Sequence, residues 1–293
     1  MSPEPGQLSS GEGGPAQARK SGKWTDVGPR VASGIVLGIV GAVICWLGGY
    51  WTASLVAVAA AAMAWEYRRV VFSAGVPSLP PLGTVSDIVF VGVAALIPLV
   101  AHASENFWIA SAIALAGTVA FGLADGHRGR WTAPGFLLIS AATAAFVYLR
   151  DQPQFGMETI FWLVGVVVAS DVGGYFAGRL LGGPKLAPQL SPKKTWAGLG
   201  GSVTLAFAVG GLFSWATTGT YAEEVCTVSA LAALVAVGGD LAESRLKRRF
   251  KVKDTSRLIP GHGGALDRLD GLMAATLVAA TVTFARGKEV FIW

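Results

Sequence analysis

The sequence predicts an all-α, polytopic integral membrane protein of about nine transmembrane helices with a cytoplasmic N-terminus, and three observations carry that prediction. Of the 293 residues, 53% are apolar and only 14% charged, where a soluble domain carries charge on about a quarter of its residues. The apolar residues fall in long runs, and a run of about 20 crosses the hydrocarbon of a bilayer. Finally, 20 of the 23 lysines and arginines fall on one side once those runs are threaded back and forth.

The first 29 residues are rich in Gly, Pro, Ser, Gln and Glu, with Arg19, Lys20 and Lys23 ahead of the first apolar run. Such a composition buries too little to fold and predicts a disordered cytoplasmic tail. It lacks the short early apolar core and cleavage site of a secretory signal, so the run that follows reads as a retained span. Residues 30–293 then form one membrane domain, because the polar segments between spans are too short to fold alone.

The candidate spans are 31–48, 50–66, 86–103, 107–124, 132–149, 158–178, 197–217, 224–242 and 271–286. Each must satisfy its own backbone hydrogen bonds in lipid, which a continuous apolar run does as a helix. Loops rich in Lys and Arg stay in the cytoplasm. With the N-terminus inside, the loops holding Arg68 and Arg69, Arg128 and Arg130, Arg179 to Lys194, and Arg245 to Arg268 all face inward. Only Arg150, Arg286 and Lys288 fall outside. Cys45 and Cys226 lie in apolar runs and predict neither a disulfide framework nor a thiolate metal site. No repeat of fixed period and no inverted symmetry of the transporter kind appears.

The two long, chemically dense loops both fall on the cytoplasmic side, so residues 158–286 read as the catalytic half. One loop follows Asp240 and runs through Arg245, Lys247, Arg248, Lys253 and the Pro260–Gly264 stretch to Asp267, Arg268 and Asp270. The basic residues alone would suit anionic lipid head groups. The acids need a further reason, since carboxylates at membrane depth are costly and tend to face a polar cavity. Asp267 and Asp270, spaced i, i+3, share a helical face, although an acid at a helix start also serves the helix dipole. Carboxylates from two helices beside many cations, with no Cys or His cluster, suit a hard cation such as Mg²⁺. Glycines near Gly263 and Gly264 permit a sharp turn or close approach to a ligand, and His262 reads equally as a ligand contact or a structural histidine.

The other loop begins at Asp171 within the sixth span and reaches Ser191, Lys193, Lys194 and Thr195. Gly173, Gly174 and Gly178 have a helix-packing explanation, and the lysines and Thr195 have one as interfacial residues and a helix start. Together the loops offer cations for phosphates, carboxylates for metal and hydroxyl donors, the set a nucleoside triphosphate requires. No Walker A sequence is present. The CDP-alcohol phosphotransferase motif is incomplete after Asp270. An aspartyl protease dyad of Asp171 and Asp240 stays open, although Val237 interrupts its usual Gly-x-Gly-Asp, and so does a transporter or lipid-binding protein whose basic loop only recognises head groups.

Ser244, Leu246, Lys247, Arg248, Lys253, Asp254, Ser256, Ile259, Pro260, His262, Gly263, Gly264, Asp267, Arg268, Leu269 and Asp270 follow a family signature almost without interruption. On these residues the chain resembles the bacterial phosphatidate cytidylyltransferases, or CDP-diacylglycerol synthases. Asp171 with Gly174-Tyr175, and Ser191 to Trp196, resemble a second family block, and Trp65-Glu66-Tyr67 is a weaker echo. Departures fall at Val172, Ala197 and Ala265. The resemblance implies an inner-membrane enzyme with its site facing the cytoplasm, making CDP-diacylglycerol and pyrophosphate from CTP and phosphatidate, with no nucleic-acid partner. It also implies Mg²⁺ held at Asp240 and Asp267, K⁺ alongside, and a homodimer. Asp171, Lys194 and Arg268 join those two acids as expected catalytic residues. Ser191, Lys193, Thr195, Ser244, Lys247, Arg248, Lys253, His262, Gly263, Gly264 and Asp270 are the expected substrate contacts.

Overall fold

The computed structural model describes residues 27–73, 84–104, 107–256, 258–259 and 263–293, with side chains from Gly34 onward. Most of the predicted tail and His262 therefore lie outside the described residues. Nine α-helices occupy the described chain: α1 (Val27–Leu47), α2 (Gly49–Phe72), α3 (Val85–Ala103), α4 (Phe107–Ala124), α5 (Gly129–Arg150), α6 (Gly156–Leu180), α7 (Trp196–Thr218), α8 (Glu223–Arg249) and α9 (Leu266–Arg286). Each predicted span falls on one of them. Seven, α3 to α9, are long and apolar enough to cross a membrane, so the protein is an all-α, multi-pass membrane protein.

The helices outrun the apolar runs where chemistry collects. Helix α8 continues to Arg249, beyond residue 242, and α9 begins at Leu266, five residues before the predicted start. The apolar run ends where the lipid ends, but a helix with charged turns continues into water. A second difference is a two-stranded antiparallel hairpin, β1 (Lys185–Ala187) and β2 (Ser191–Thr195), in what reads as a loop in the sequence. Strands of three and five residues are too short to display alternating polarity.

Two apolar cores fill the bundle. In the first, Phe90, Phe121 and Phe136 of α3, α4 and α5 stack with ring centroids 4.9–5.0 Å apart. The second gathers α6, α8 and α9 around buried Trp162, whose indole donates to Ser229 at 2.9 Å. Helices α6 and α7 pack most extensively of all. A Cβ at Gly174 would lie 2.5 Å from the Ser202 hydroxyl, and one at Gly198 would lie 2.9 Å from the Gly174 carbonyl. The expected packing role of the glycines near Asp171 is therefore met, because small residues let these two backbones approach.

Ion pairs and charged side chains gather toward the two ends of the bundle. At one end, buried Arg68 binds Asp87 at 2.5 Å and Asp125 at 2.8 Å, tying α2 to α3 and to the end of α4. At the other, Arg150 donates to the Cys45 and Trp46 carbonyls at the end of α1. There His102 also meets Asp151 at 2.8 Å, and Glu289 accepts the Gln154 and Phe155 amides. Cys45 and Cys226 are free and buried.

Candidate active site

The described residues among those singled out in the sequence gather at the end that also holds Arg68, where α8 and α9 come together. Gly239 permits that approach: a Cβ there would stand 3.0 Å from the Asp270 carbonyl and 3.0 Å from the Ala274 methyl. As a result Asp240, Glu243 and Asp270 can bring one carboxylate oxygen each within 4.8 Å of the others. Three ionised acids this close repel one another, and a shared cation or a bound proton relieves that repulsion. Glu243 is buried, and its Oε1 has no hydrogen-bond partner among the described residues. A buried carboxylate with one oxygen free of hydrogen bonds, clustered with two other acids, is a donor set that fits a hard divalent cation.

Two lysines pair with acids of this cluster. Lys194, at the end of β2, reaches Asp240 Oδ2 at 2.6 Å and the Val237 carbonyl at 3.3 Å. Lys247, one turn after Glu243, binds Glu243 Oε2 at 2.8 Å and Asp267 Oδ1 at 2.8 Å. Asp171 lies within electrostatic reach of Asp240, Lys194 and Arg268. Ser244 donates to Asp240 Oδ1 at 3.4 Å.

Asp267, expected beside Asp240 as a metal ligand, has both oxygens engaged by protein donors. Oδ1 takes Lys247, while Oδ2 accepts the Thr255 amide at 3.1 Å, the Thr255 hydroxyl at 2.9 Å and the Gly264 amide at 3.1 Å. The acid that α9 places beside Asp240 is Asp270. Although i, i+3 spacing puts both on one face, Asp267 lies in the first turn and turns back to the preceding loop, whereas Asp270 is a turn deeper.

The glycines serve the loop itself. Gly263 has φ 90° and closes an isolated bridge with Ile259, through bonds of 2.9 and 3.1 Å. A non-glycine residue there would be strained. A Cβ on Gly264 would stand 2.6 Å from a Glu66 carboxylate oxygen.

Ser191, Lys193, Ser244, Lys247, Arg248 and Lys253 line one cavity of about 250 Å³ between the β-hairpin and the end of α8. The basic run is thus split by helical geometry: Arg248 faces this cavity, and Arg245 lines a larger, apolar groove of about 1050 Å³ between α5, α8 and α9. The groove runs along Leu234, Met273 and Leu277 and reaches Glu243 and Asp270. Thr195 lines neither. It is buried and caps α7, accepting the Gly198 amide at 3.0 Å. Thr195→Ala is expected to cost about 1 kcal/mol, read as a lower unfolding midpoint in detergent, with Thr195→Ser close to the parent protein.

Two further buried carboxylates join the site, neither among the expected site residues, and Glu66 is marked in the sequence only by the weak Trp65-Glu66-Tyr67 echo. Glu243 carries no mark in an amphipathic charged stretch beyond its spacing from Asp240. Glu66 sits on α2, far from the dense loops in sequence, yet it binds the Thr255, Ser256, Ala265 and Leu266 region directly.

A family model described as "Cytidylyltransferase family" matches residues 28–285. A phosphatidate cytidylyltransferase of Brucella suis biovar 1 is 35% identical over 247 residues, 84% of this chain and 89% of its own. The proteins of the same name from Mycobacterium leprae and Helicobacter pylori are 40% and 43% identical over 139 and 132 residues, 47% and 45% of this chain and 45% and 49% of their own.

Proposed function

Since the chain belongs to the cytidylyltransferase family, we propose that it is a phosphatidate cytidylyltransferase, joining CTP to phosphatidate to give CDP-diacylglycerol and pyrophosphate. The observation that carries this reading is the meeting of two unlike spaces at one ion pair. The cationic cavity reaches Lys247, the apolar groove reaches Glu243, and those two side chains are 2.8 Å apart. A soluble polyanion and a bilayer-resident phosphate are the pair of substrates such a junction suits.

In this reading the triphosphate of CTP lies against Lys193, Lys247, Arg248 and Lys253, and Ser191 and Ser244 supply hydroxyl donors. The acyl chains of phosphatidate occupy the groove between α5, α8 and α9, with the phosphate at its polar end beside Arg245. A phosphate oxygen of phosphatidate attacks the α-phosphorus of CTP, a new P–O bond forms, and the bond from that phosphorus to the β-phosphate oxygen breaks. The electron pair leaves on pyrophosphate, where Lys and Arg offset the growing charge. No protein nucleophile is needed because the attacking phosphate is already anionic. Asp240, Glu243 and Asp270 would hold Mg²⁺, with Asp267, the other acid the family resemblance implies, adjoining them through Lys247. When bound, the ion would supply Lewis-acid stabilisation of charge on the reacting phosphates. Asp171, Lys194 and Arg268 orient the acids and balance their charge.

The finer topology belongs to the same proposal. Nine spans with a cytoplasmic N-terminus would put the Asp240 end of the bundle in the cytoplasm and the Arg150 end outside. The excess of basic residues in the loops at that first end supports this orientation in a bacterial inner membrane. The family resemblance adds the expectations of K⁺ beside Mg²⁺ and of a homodimer.

Purified protein in detergent, given CTP and phosphatidate, is expected to form CDP-diacylglycerol and pyrophosphate in equal amounts, and only with a divalent cation. Salt-sensitive phosphatidate binding with no pyrophosphate release would instead favour a protein that merely recognises head groups.

A further inference from the structure

Glu66 belongs to α2, in the half of the chain that carries none of the dense loops, and it is 0% exposed. Its carboxylate is spent on the other half. Oε1 accepts the Ser256 hydroxyl at 2.5 Å and the Ala265 amide at 2.9 Å. Oε2 accepts the Leu266 amide at 2.8 Å and the Thr255 hydroxyl at 3.1 Å.

Two of these donors are the backbone amides that begin α9. Amides at a helix start lack an intrahelical acceptor, and a nearby side chain normally supplies one. Here the N-cap position is Ala265, which has no side-chain acceptor to offer. The cap therefore comes from another helix, and as a carboxylate it also suits the positive end of the α9 dipole. Thr255 extends the link: its hydroxyl is 3.1 Å from Glu66 Oε2 and 2.9 Å from Asp267 Oδ2. One hydroxyl hydrogen serves one acceptor at a time, but backbone amides keep either carboxylate partnered in both states.

Resting on the cytidylyltransferase reading above, we propose that Glu66 is a positioning residue for the reaction. From α2 it caps α9 and clamps Thr255 and Ser256, so that Asp267 and Asp270 are presented at set places to the metal ion and the substrates. The N-terminal half of the chain is then a working part of the active site as well as a membrane anchor.

Glu66→Gln preserves size but places an NH₂ group against either the Ala265 or the Leu266 amide, donor facing donor. In the folded variant, kcat is expected to fall by about tenfold to a hundredfold and the Mg²⁺ needed for half-maximal rate to rise by about tenfold, as for other residues that orient metal ligands. The KM for CTP stays near that of the parent, because the cationic cavity is formed by other residues. In metal-free detergent solution the Ala265 and Leu266 amides are expected to exchange hydrogen faster than in the parent. A purely structural glutamate would reduce the yield of folded protein and leave kcat and the Mg²⁺ requirement of the folded fraction unchanged. That result, or unaltered exchange at both amides, overturns the proposal.

Thr255→Val removes the bridge to Asp267 and spares both α9 amides. Its kcat loss is expected to be non-additive with that of Glu66→Gln, and strict additivity would sever Thr255 from the mechanism. Should Glu66→Gln not fold, Thr255→Val decides alone: a lowered kcat with a raised Mg²⁺ requirement supports the link, and parental values refute it. A parent protein that makes no CDP-diacylglycerol would defeat the cytidylyltransferase reading, while the exchange measurement would still decide whether Glu66 holds α9.

Discussion

Asp240→Asn is expected to lower turnover of CTP and phosphatidate by about a hundredfold to a thousandfold, the loss typical when one preorganised electrostatic group is removed from a reacting centre. The substitution preserves shape and removes one negative charge. Asp240 is the acid that α8 contributes nearest the membrane, and it holds Lys194 at 2.6 Å while sharing a 4.8 Å cluster with Glu243 and Asp270. Without its charge, Lys194 loses its ion-pair partner and the proposed Mg²⁺ site loses one of its anionic donors. The effect should appear in kcat and in the Mg²⁺ titration, both measured on detergent-purified protein, with the unfolding midpoint little changed because Asp240 is 43% exposed. Asp267→Asn provides the comparison. If Asp267 mainly shapes the loop through Thr255 and Gly264, its loss should register in stability as well as in rate. Activity within a few-fold of the parent in both variants would remove carboxylate-held metal from the proposed mechanism.

Lys247→Met is expected to destabilise the folded protein by roughly 3–5 kcal/mol, the cost of leaving buried charges without their partner. The Lys247 ammonium lies 2.8 Å from both Glu243 and Asp267, whose side chains are only 6% and 11% exposed. Glu243 Oε1 already lacks a partner among the described residues, so that side chain has no alternative donor in place. Thermal unfolding in detergent should show the loss as a clearly lower midpoint. Because removing both halves of a buried pair is far milder than removing one, Glu243→Gln combined with Lys247→Met should recover part of it. A Lys247→Met midpoint matching the parent would mean that water or ions reach the pair freely, and the site would then be more open than its burial indicates.

The membrane helices were legible because lipid imposes a simple rule on sequence: a long apolar run must be a helix. Even Gly173, Gly174 and Gly178 revealed their packing role, since small residues in such a run have few other uses. The site was legible in its residue types and less so in its partnerships. The family resemblance paired Asp240 with Asp267, and α9, which starts at Leu266, carries Asp267 back toward Thr255 and Gly264. Asp270, readable as a dipole partner, is the residue that faces Asp240. Thr195 was readable both as a hydroxyl donor for substrate and as a helix start, and it is a buried cap for α7. Nothing local in Trp65-Glu66-Tyr67 tells that its carboxylate would bind amides two hundred positions away.

Alone, the order of residues determined what depends on local composition and on solvent: an all-α membrane protein, the places of its helices, the end of the bundle where charge collects, and a chemistry of phosphate and lipid. Only the tertiary structure decided which carboxylates cluster within 4.8 Å, which lysine neutralises which acid, and that α2 reaches across the bundle to start α9. Charge and hydropathy act through the sum of residues in a segment and survive without coordinates. An ion pair or a cap depends on separations of about 3 Å, and those exist only after helices distant in sequence have packed.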